Sequence, residues 1–170
     1  MSTIVVADPL ALIAEGVSAR LGKEPDLAVS GHARTGKELL ELLKTERPDL
    51  VLLEVSLPEM DGIDTMRAVH KNHPELAVLA FSALTDIEYV NSMLIEGAIG
   101  YLVKDCTRDE MVDAVRTALR GEQWLSESAK ASVAEGYRFT EKRPDGEYVG
   151  LTQREREIIR LIALERTNGE

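Results

Sequence analysis

Three short runs in this chain, TIVVA at Thr3–Ala7, LVLLE at Leu50–Glu54 and LAVLAF at Leu76–Phe81, are apolar on both of the faces a strand presents. A strand of that kind must be covered on both sides, which points to a parallel sheet sandwiched between helices and away from a half-exposed antiparallel one. The intervening segments carry helical patterns: Leu10–Leu21, Gly36–Thr45 with Leu39, Leu40, Leu42 and Leu43 facing inward, Ile63–Asn72, Asp86–Glu96 and Arg108–Arg120. Leu27–Gly31 and Ile99–Val103 supply two further strands. Pro48, Pro74, Gly97 and Gly121 punctuate the helix ends, and Thr107 with Glu110 has capping-box spacing. Five strand–helix units within about 120 residues predict an α/β fold, a five-stranded doubly wound parallel sheet.

Composition narrows the function classes. The hydrophobic share, 44%, is enough for a core. One cysteine, Cys106, excludes an internal disulfide and a Cys-rich zinc site. No apolar stretch is long enough for a membrane helix, and Met1-Ser2-Thr3 lacks the basic start of a signal peptide, so a cytoplasmic location is expected. Acids outnumber Lys and Arg by 30 to 20, a net charge of -10, and aromatics are only 4%. A nucleic-acid-binding surface spread over the whole chain is therefore not expected. The charge is uneven: residues 137–170 hold 7 acids and 7 bases, so the excess belongs entirely to the earlier part. The last 34 residues read as a different module. Before it, Ser126–Gly136 suggests a short helix, and Tyr137–Gly150, with Pro144, Gly146 and Gly150, a linker. Thr152 and Glu155 form a second capping box, opening a helix with Ile158, Ile159, Leu161 and Ile162 on its apolar face.

In open parallel sheets, sites form beyond the carboxyl ends of the strands. The residues at those ends are Asp8, followed by Pro9, then Glu54, Ser82 and Lys104. Two acids, a hydroxyl and an ammonium on one edge are the groups that hold a phosphoryl group or a divalent cation. Each also has a plainer reading. Asp8 can cap the following helix, Lys104 can be a solvated strand-end lysine, Ser82 a loop hydroxyl, and Tyr101 a half-buried sheet residue. Their coincidence favours a site. His70 and His73 read as surface residues without enough partners for a metal. Cys106 reads as an ordinary thiol, although Lys104 and Arg108 nearby would favour its thiolate. Trp124 and Leu125 are expected to pack the linker helix back onto the sheet. No glycine-rich phosphate loop is present.

The stretches VLLEVSLPEMDG (Val51–Gly62), AFSA (Ala80–Ala83) and GYLVKD (Gly100–Asp105) resemble the signature motifs of a two-component response-regulator receiver domain. Leu151–Glu170, LTQREREIIRLIALERTNGE, resembles the opening of a LuxR-type helix-turn-helix domain. Together they resemble the NarL/LuxR class. That resemblance implies the flavodoxin-like strand order 2-1-3-4-5 for a receiver over residues 1–122. It implies a linker with a short helix over 123–150 and a truncated DNA-binding domain over 151–170. The recognition helix would be absent, so no residue of this chain is expected to read DNA. The resemblance also implies a non-enzymatic transcription regulator, DNA contact through the complete helix-turn-helix, and a homodimer using Leu10–Leu21 and Arg108–Arg120.

Two positions depart from the class. Its pair of acids after the first strand is here Asp8-Pro9, and its phospho-accepting aspartate is here Glu54. Ser82 and Lys104 match its hydroxyl and lysine, and Tyr101 its switch aromatic. Glu54 can still accept phosphate, can stand in for phospho-aspartate by reaching Lys104, or can be inert. Loss of both acids favours a receiver that works without phosphorylation. No resident cofactor is expected, since Asp8 alone would hold magnesium weakly at best. The alternatives are a phosphorylation-competent receiver served by a histidine kinase, an engineered phosphomimic, or a protein-binding module that does not contact DNA.

Overall fold

The five apolar runs become strands of one parallel sheet. In the computed structural model, which describes residues 1–141 and side chains through residue 135, they are β1 (Ser2–Ala7), β2 (Leu27–Ala33), β3 (Leu50–Leu53), β4 (Ala77–Ser82) and β5 (Gly100–Val103). The helices between them are α1 (Ala11–Leu21), α2 (Gly36–Thr45), α3 (Gly62–Asn72), α4 (Ile87–Ile95) and α5 (Arg108–Leu119). Every residue of β3 and β5 is buried, as strands covered on both faces must be. Alternate side chains feed two cores. Ile4, Val6, Leu50, Leu52, Leu79, Phe81 and Leu102 pack against α1 and α5. Val5, Ala7, Val51, Leu53, Val78, Ala80, Tyr101 and Val103 pack on the other side. The Thr107–Glu110 capping box that starts α5 is formed as the sequence predicts.

The sheet has six strands, not five, in the order β2-β1-β3-β4-β5-β6. The sixth, β6 (Trp124–Leu125), pairs parallel with Gly100 and Tyr101 and leads into α6 (Glu127–Glu141). Trp124 and Leu125 thus do more than pack the linker helix: they extend the receiver-like sheet. α6 also runs five residues beyond the short helix expected at Ser126–Gly136, into the segment read as linker. The rest of that linker and the helix expected from Thr152 lie outside the described residues. Among the described residues, no helix is long and apolar enough to cross a membrane.

Gly100 makes the sixth strand possible. A Cβ there would lie 2.1 Å from the Trp124 carbonyl oxygen, a backbone atom that cannot step aside without breaking the pairing. Gly100→Ala should displace β6 and destabilise the fold by about 1–3 kcal/mol, the usual range for overpacking. Urea unfolding measures the loss, and Trp124 emission should move to the red. An unchanged midpoint with unchanged emission would mean that β6 is not paired in solution.

Candidate functional site

The strand register gathers the polar residues. Ala7, Leu53 and Ala80 stand abreast on β1, β3 and β4, so the residues just beyond them share the carboxyl edge. The backbone fixes each one: Asp8 N donates to Ala33 O at 2.9 Å, Glu54 N to Ala7 O at 2.9 Å, and Lys104 N to Ser82 O at 3.0 Å. Behind Glu54 the chain turns back sharply, with Gly62 N donating to Val55 O at 2.8 Å. A Cβ on Gly62 would lie 2.2 Å from the Glu54 carbonyl oxygen, so only glycine allows that approach.

All four edge residues meet. The Lys104 ammonium contacts both Asp8 Oδ2 and Glu54 Oε2. Ser82 Oγ donates to Glu54 Oε1 at 2.5 Å, and Ser56 N donates to the same oxygen at 3.0 Å. Leu10 N donates to Asp8 Oδ1 at 2.8 Å. Two carboxylates face one ammonium, and each of the four carboxylate oxygens has a donor. The cluster is buried: Asp8 and Ser82 are 0% exposed and Glu54 6%. Among the described residues, no group of three or more His, Cys, Asp or Glu is arranged to hold a metal ion.

Tyr101 borders the cluster. Its ring is wholly buried, its hydroxyl donates to Leu84 O at 2.7 Å, and Leu84 N donates to Ser82 Oγ at 3.3 Å. The phenol is therefore not the half-buried sheet residue of the plainer reading. Asp8 is not the helix cap either: α1 starts after Leu10, and Asp8 reaches only the Leu10 amide.

The chain matches the response regulator receiver domain family over residues 4–116. The chain belongs to the response-regulator receiver family. More specifically, this receiver is of the NarL/LuxR type. It is 32% identical over 162 residues to the nitrate/nitrite response regulator NarL of Escherichia coli strain K12, covering 95% of this chain and 75% of that protein. It is 31% identical to the transcriptional regulatory protein YhcZ of Bacillus subtilis, covering 98% of this chain and 78% of the relative. The solved signal receiver domain of Mycobacterium tuberculosis NarL superposes with a TM-score of 0.68 at 37% identity, covering 71% of this chain and 98% of that one.

Electrostatics in the receiver follow from burial and pairing. Burial pushes the Glu54 carboxyl up, but hydrogen bonds from Lys104, Ser82 and the Ser56 amide outweigh it and hold the group below the ordinary glutamate value. For Lys104, burial acts downward, and its bonds to Asp8 and Glu54 more than reverse that, so the ammonium titrates above its usual range. The Lys104 Nζ also lies 5.6 Å from the Phe81 ring centroid, within cation–π reach. Glu54 and Lys104 therefore stay charged at neutral pH.

Cys106 is a free thiol, in keeping with the ordinary thiol read from the sequence. It is buried, and burial raises its thiol pKa above the ordinary value despite Arg20 nearby. That is the opposite of a thiolate activated by Lys104 and Arg108. His70 is exposed, as read from the sequence, whereas His73 is half-buried. Sequence reasoning missed a shallow cleft of about 500 Å³ beside the cluster, walled by Pro9, Val55, Leu57, Pro58, Ile63 and Tyr89. It also missed His32, whose Nε2 bonds the Asp8 carbonyl at 2.8 Å. The parallel register of β1 with β2, which puts Ala7 opposite Ala33, is the signal that brings His32 close.

Proposed function

We propose that this receiver keeps its regulatory pocket assembled without phosphate, and that the chain is the control portion of a DNA-binding transcription regulator. The observation that carries the proposal is the Lys104 ammonium seated against both Glu54 and Asp8 while the Ser82 hydroxyl holds the other Glu54 oxygen. Glu54, one methylene longer than aspartate, reaches by itself the lysine and the hydroxyl that the family uses around a phosphorylated aspartate. The family resemblance gives those positions their roles. A displaced attacking atom adds to the same reading, since misplacement by about 1 Å can lower a rate about 10²-fold.

Magnesium does not fit the groups present. It needs near-octahedral oxygen ligands and sheds water reluctantly. Here the position between the two carboxylates holds an ammonium, and Pro9 stands where the family has its second acid. DNA contact would come with the helix-turn-helix that Leu151–Glu170 resembles, and dimerisation with the receiver helices at Leu10–Leu21 and Arg108–Arg120, with input from abundance, a ligand or a partner protein.

Magnesium titration of the backbone amide signals of Asp8 and Glu54 tests the proposal. We expect no saturable change at cellular magnesium in the native chain, and a saturable one in the Pro9→Asp/Glu54→Asp variant. Saturation in the native chain would overturn it.

A further inference from the structure

We propose that the cleft beside the Glu54 cluster is a binding site for a small aromatic amine, the ligand input of a receiver that does not draw on phosphate. Its wall is apolar and stiff. Pro9 and Pro58 stand in it with Leu57, Ile63 and Tyr89, and a proline ring fixes its own backbone angle. Where the family has an acid, this chain puts the Pro9 ring into the wall. The loop that carries most of the wall is pinned by its own backbone. Leu57 N donates to Val55 O at 3.2 Å, Met60 N to Pro58 O at 2.8 Å, and Ser56 N to Glu54 Oε1 at 3.0 Å. A wall held in this way is formed before a ligand arrives, which lowers the cost of binding. The volume, about 500 Å³, is that of a small-molecule site. Tyr89, in the first turn of α4, is 37% exposed and offers the ring against which a flat ligand can pack.

The charge around the cleft selects the sign of the ligand. Asp61 is the one charged residue in the wall, and no Lys or Arg among the described residues lines it. Asp61 Oδ1 accepts from Asp64 N at 2.8 Å, and its second oxygen has no donor among the described residues. Asp86 and Glu88, on either side of Tyr89 at the start of α4, make no ion pair among the described residues, and Asp86 makes no side-chain cap. Glu59 and Asp64, by contrast, are matched by Lys37 and Arg67. The unmatched charge at and next to the cleft is therefore all negative, the complement of an ammonium carried on an aromatic body, and an anion would meet like charge. The site takes its regulatory meaning from the proposed independence from phosphate, yet the two fail separately. Phosphoryl transfer to Glu54 would end that reading and leave the amine site standing, whereas a cleft that binds no amine would leave Glu54 as it is.

Backbone amide NMR of the 170-residue chain at neutral pH, without phosphate or magnesium, tests the site. Naphthylmethylamine should shift the amide signals of Ser56, Leu57, Ile63 and Tyr89 saturably, with a Kd of about 1 mM or tighter, the strength expected of a ligand this small. Naphthylacetate, the same ring with the opposite charge, should bind about ten-fold more weakly or worse. Tyr89→Ala should weaken the amine about five-fold through the lost ring contact. Asp61→Asn, which keeps a good N-cap for α3, should weaken it about three-fold, as expected for one exposed charge pair. Leu12→Ala, an exposed apolar change on α1 outside the cleft, should leave the Kd unchanged. Absence of saturable shifts, equal affinity for the amine and the carboxylate, or amine binding undiminished by Tyr89→Ala and Asp61→Asn would each overturn the site.

Discussion

Lys104→Met should destabilise the receiver by about 3 kcal/mol at neutral pH, the lower end of what removing one partner from a buried ion pair costs. The variant leaves two buried carboxylates facing each other with no ammonium between them. Chemical denaturation measures the loss, and its pH dependence identifies the cause. In the native receiver, Glu54 titrates below its unfolded value of 4.5. Its contribution to stability is therefore fully present above about pH 4.5 and is lost as pH falls through the depressed folded pKa. Lys104 works in the opposite direction: its folded pKa lies above 10.5, so its contribution is present below that pH and fades as the solution becomes more alkaline. Without the lysine, burial dominates at Glu54 and its folded pKa should rise above the unfolded one. The variant then regains stability as pH falls through that raised value, and its deficit should shrink from pH 8 toward pH 5. A deficit under about 1 kcal/mol with no pH dependence would match a solvent-exposed pair and contradict the buried cluster.

Tyr101→Ala should cost about 3–5 kcal/mol, in the range for removing a large aromatic side chain from a core. The ring is wholly buried in a core that includes residues of α4, β6 and α6, so closing a cavity there would draw on the packing of the linker helix. Tyr101→Phe keeps the ring and removes only the hydroxyl bond to Leu84, a loss of about 1 kcal/mol. The pair of variants separates packing from hydrogen bonding. Burial also pushes the Tyr101 phenol up to about 12 from its ordinary value of 10.0. Its stabilising contribution is present below pH 10 and lost as pH rises through 12, so the phenylalanine variant should resist alkaline unfolding better than the native chain over that interval. Similar losses for both variants, about 1 kcal/mol each, would mean that the ring is not enclosed in solution.

Much of this fold is legible in the sequence because its strands are extreme. LVLLE and LAVLAF leave no exposed face, so they dictate a sheet covered on both sides, and polar residues are pushed to the strand ends. That is why Asp8, Glu54, Ser82 and Lys104 stand out along the chain as candidates for one edge. β6 is not legible for the converse reason. Two residues carry no periodicity, and their pairing rests on the missing side chain of Gly100. The Ser132–Thr85 bond joins residues 47 apart through a hydroxyl that sequence alone would assign to solvent. Cys106 is legible as an ordinary thiol, but its burial is not, because its charged sequence neighbours suggest an exposed loop. The ammonium shared by Glu54 and Asp8 sits between these cases: the residues are visible, but their joint contact depends on a register that brings the strand ends together.

The self-contained pocket faces its most direct test in intact-mass spectrometry of the native chain after incubation with acetyl phosphate and magnesium. With Lys104 and Ser82 already committed to Glu54, the mass should remain that of the unmodified chain. A stoichiometric gain of one phosphoryl group, mapped to Glu54, would contradict it.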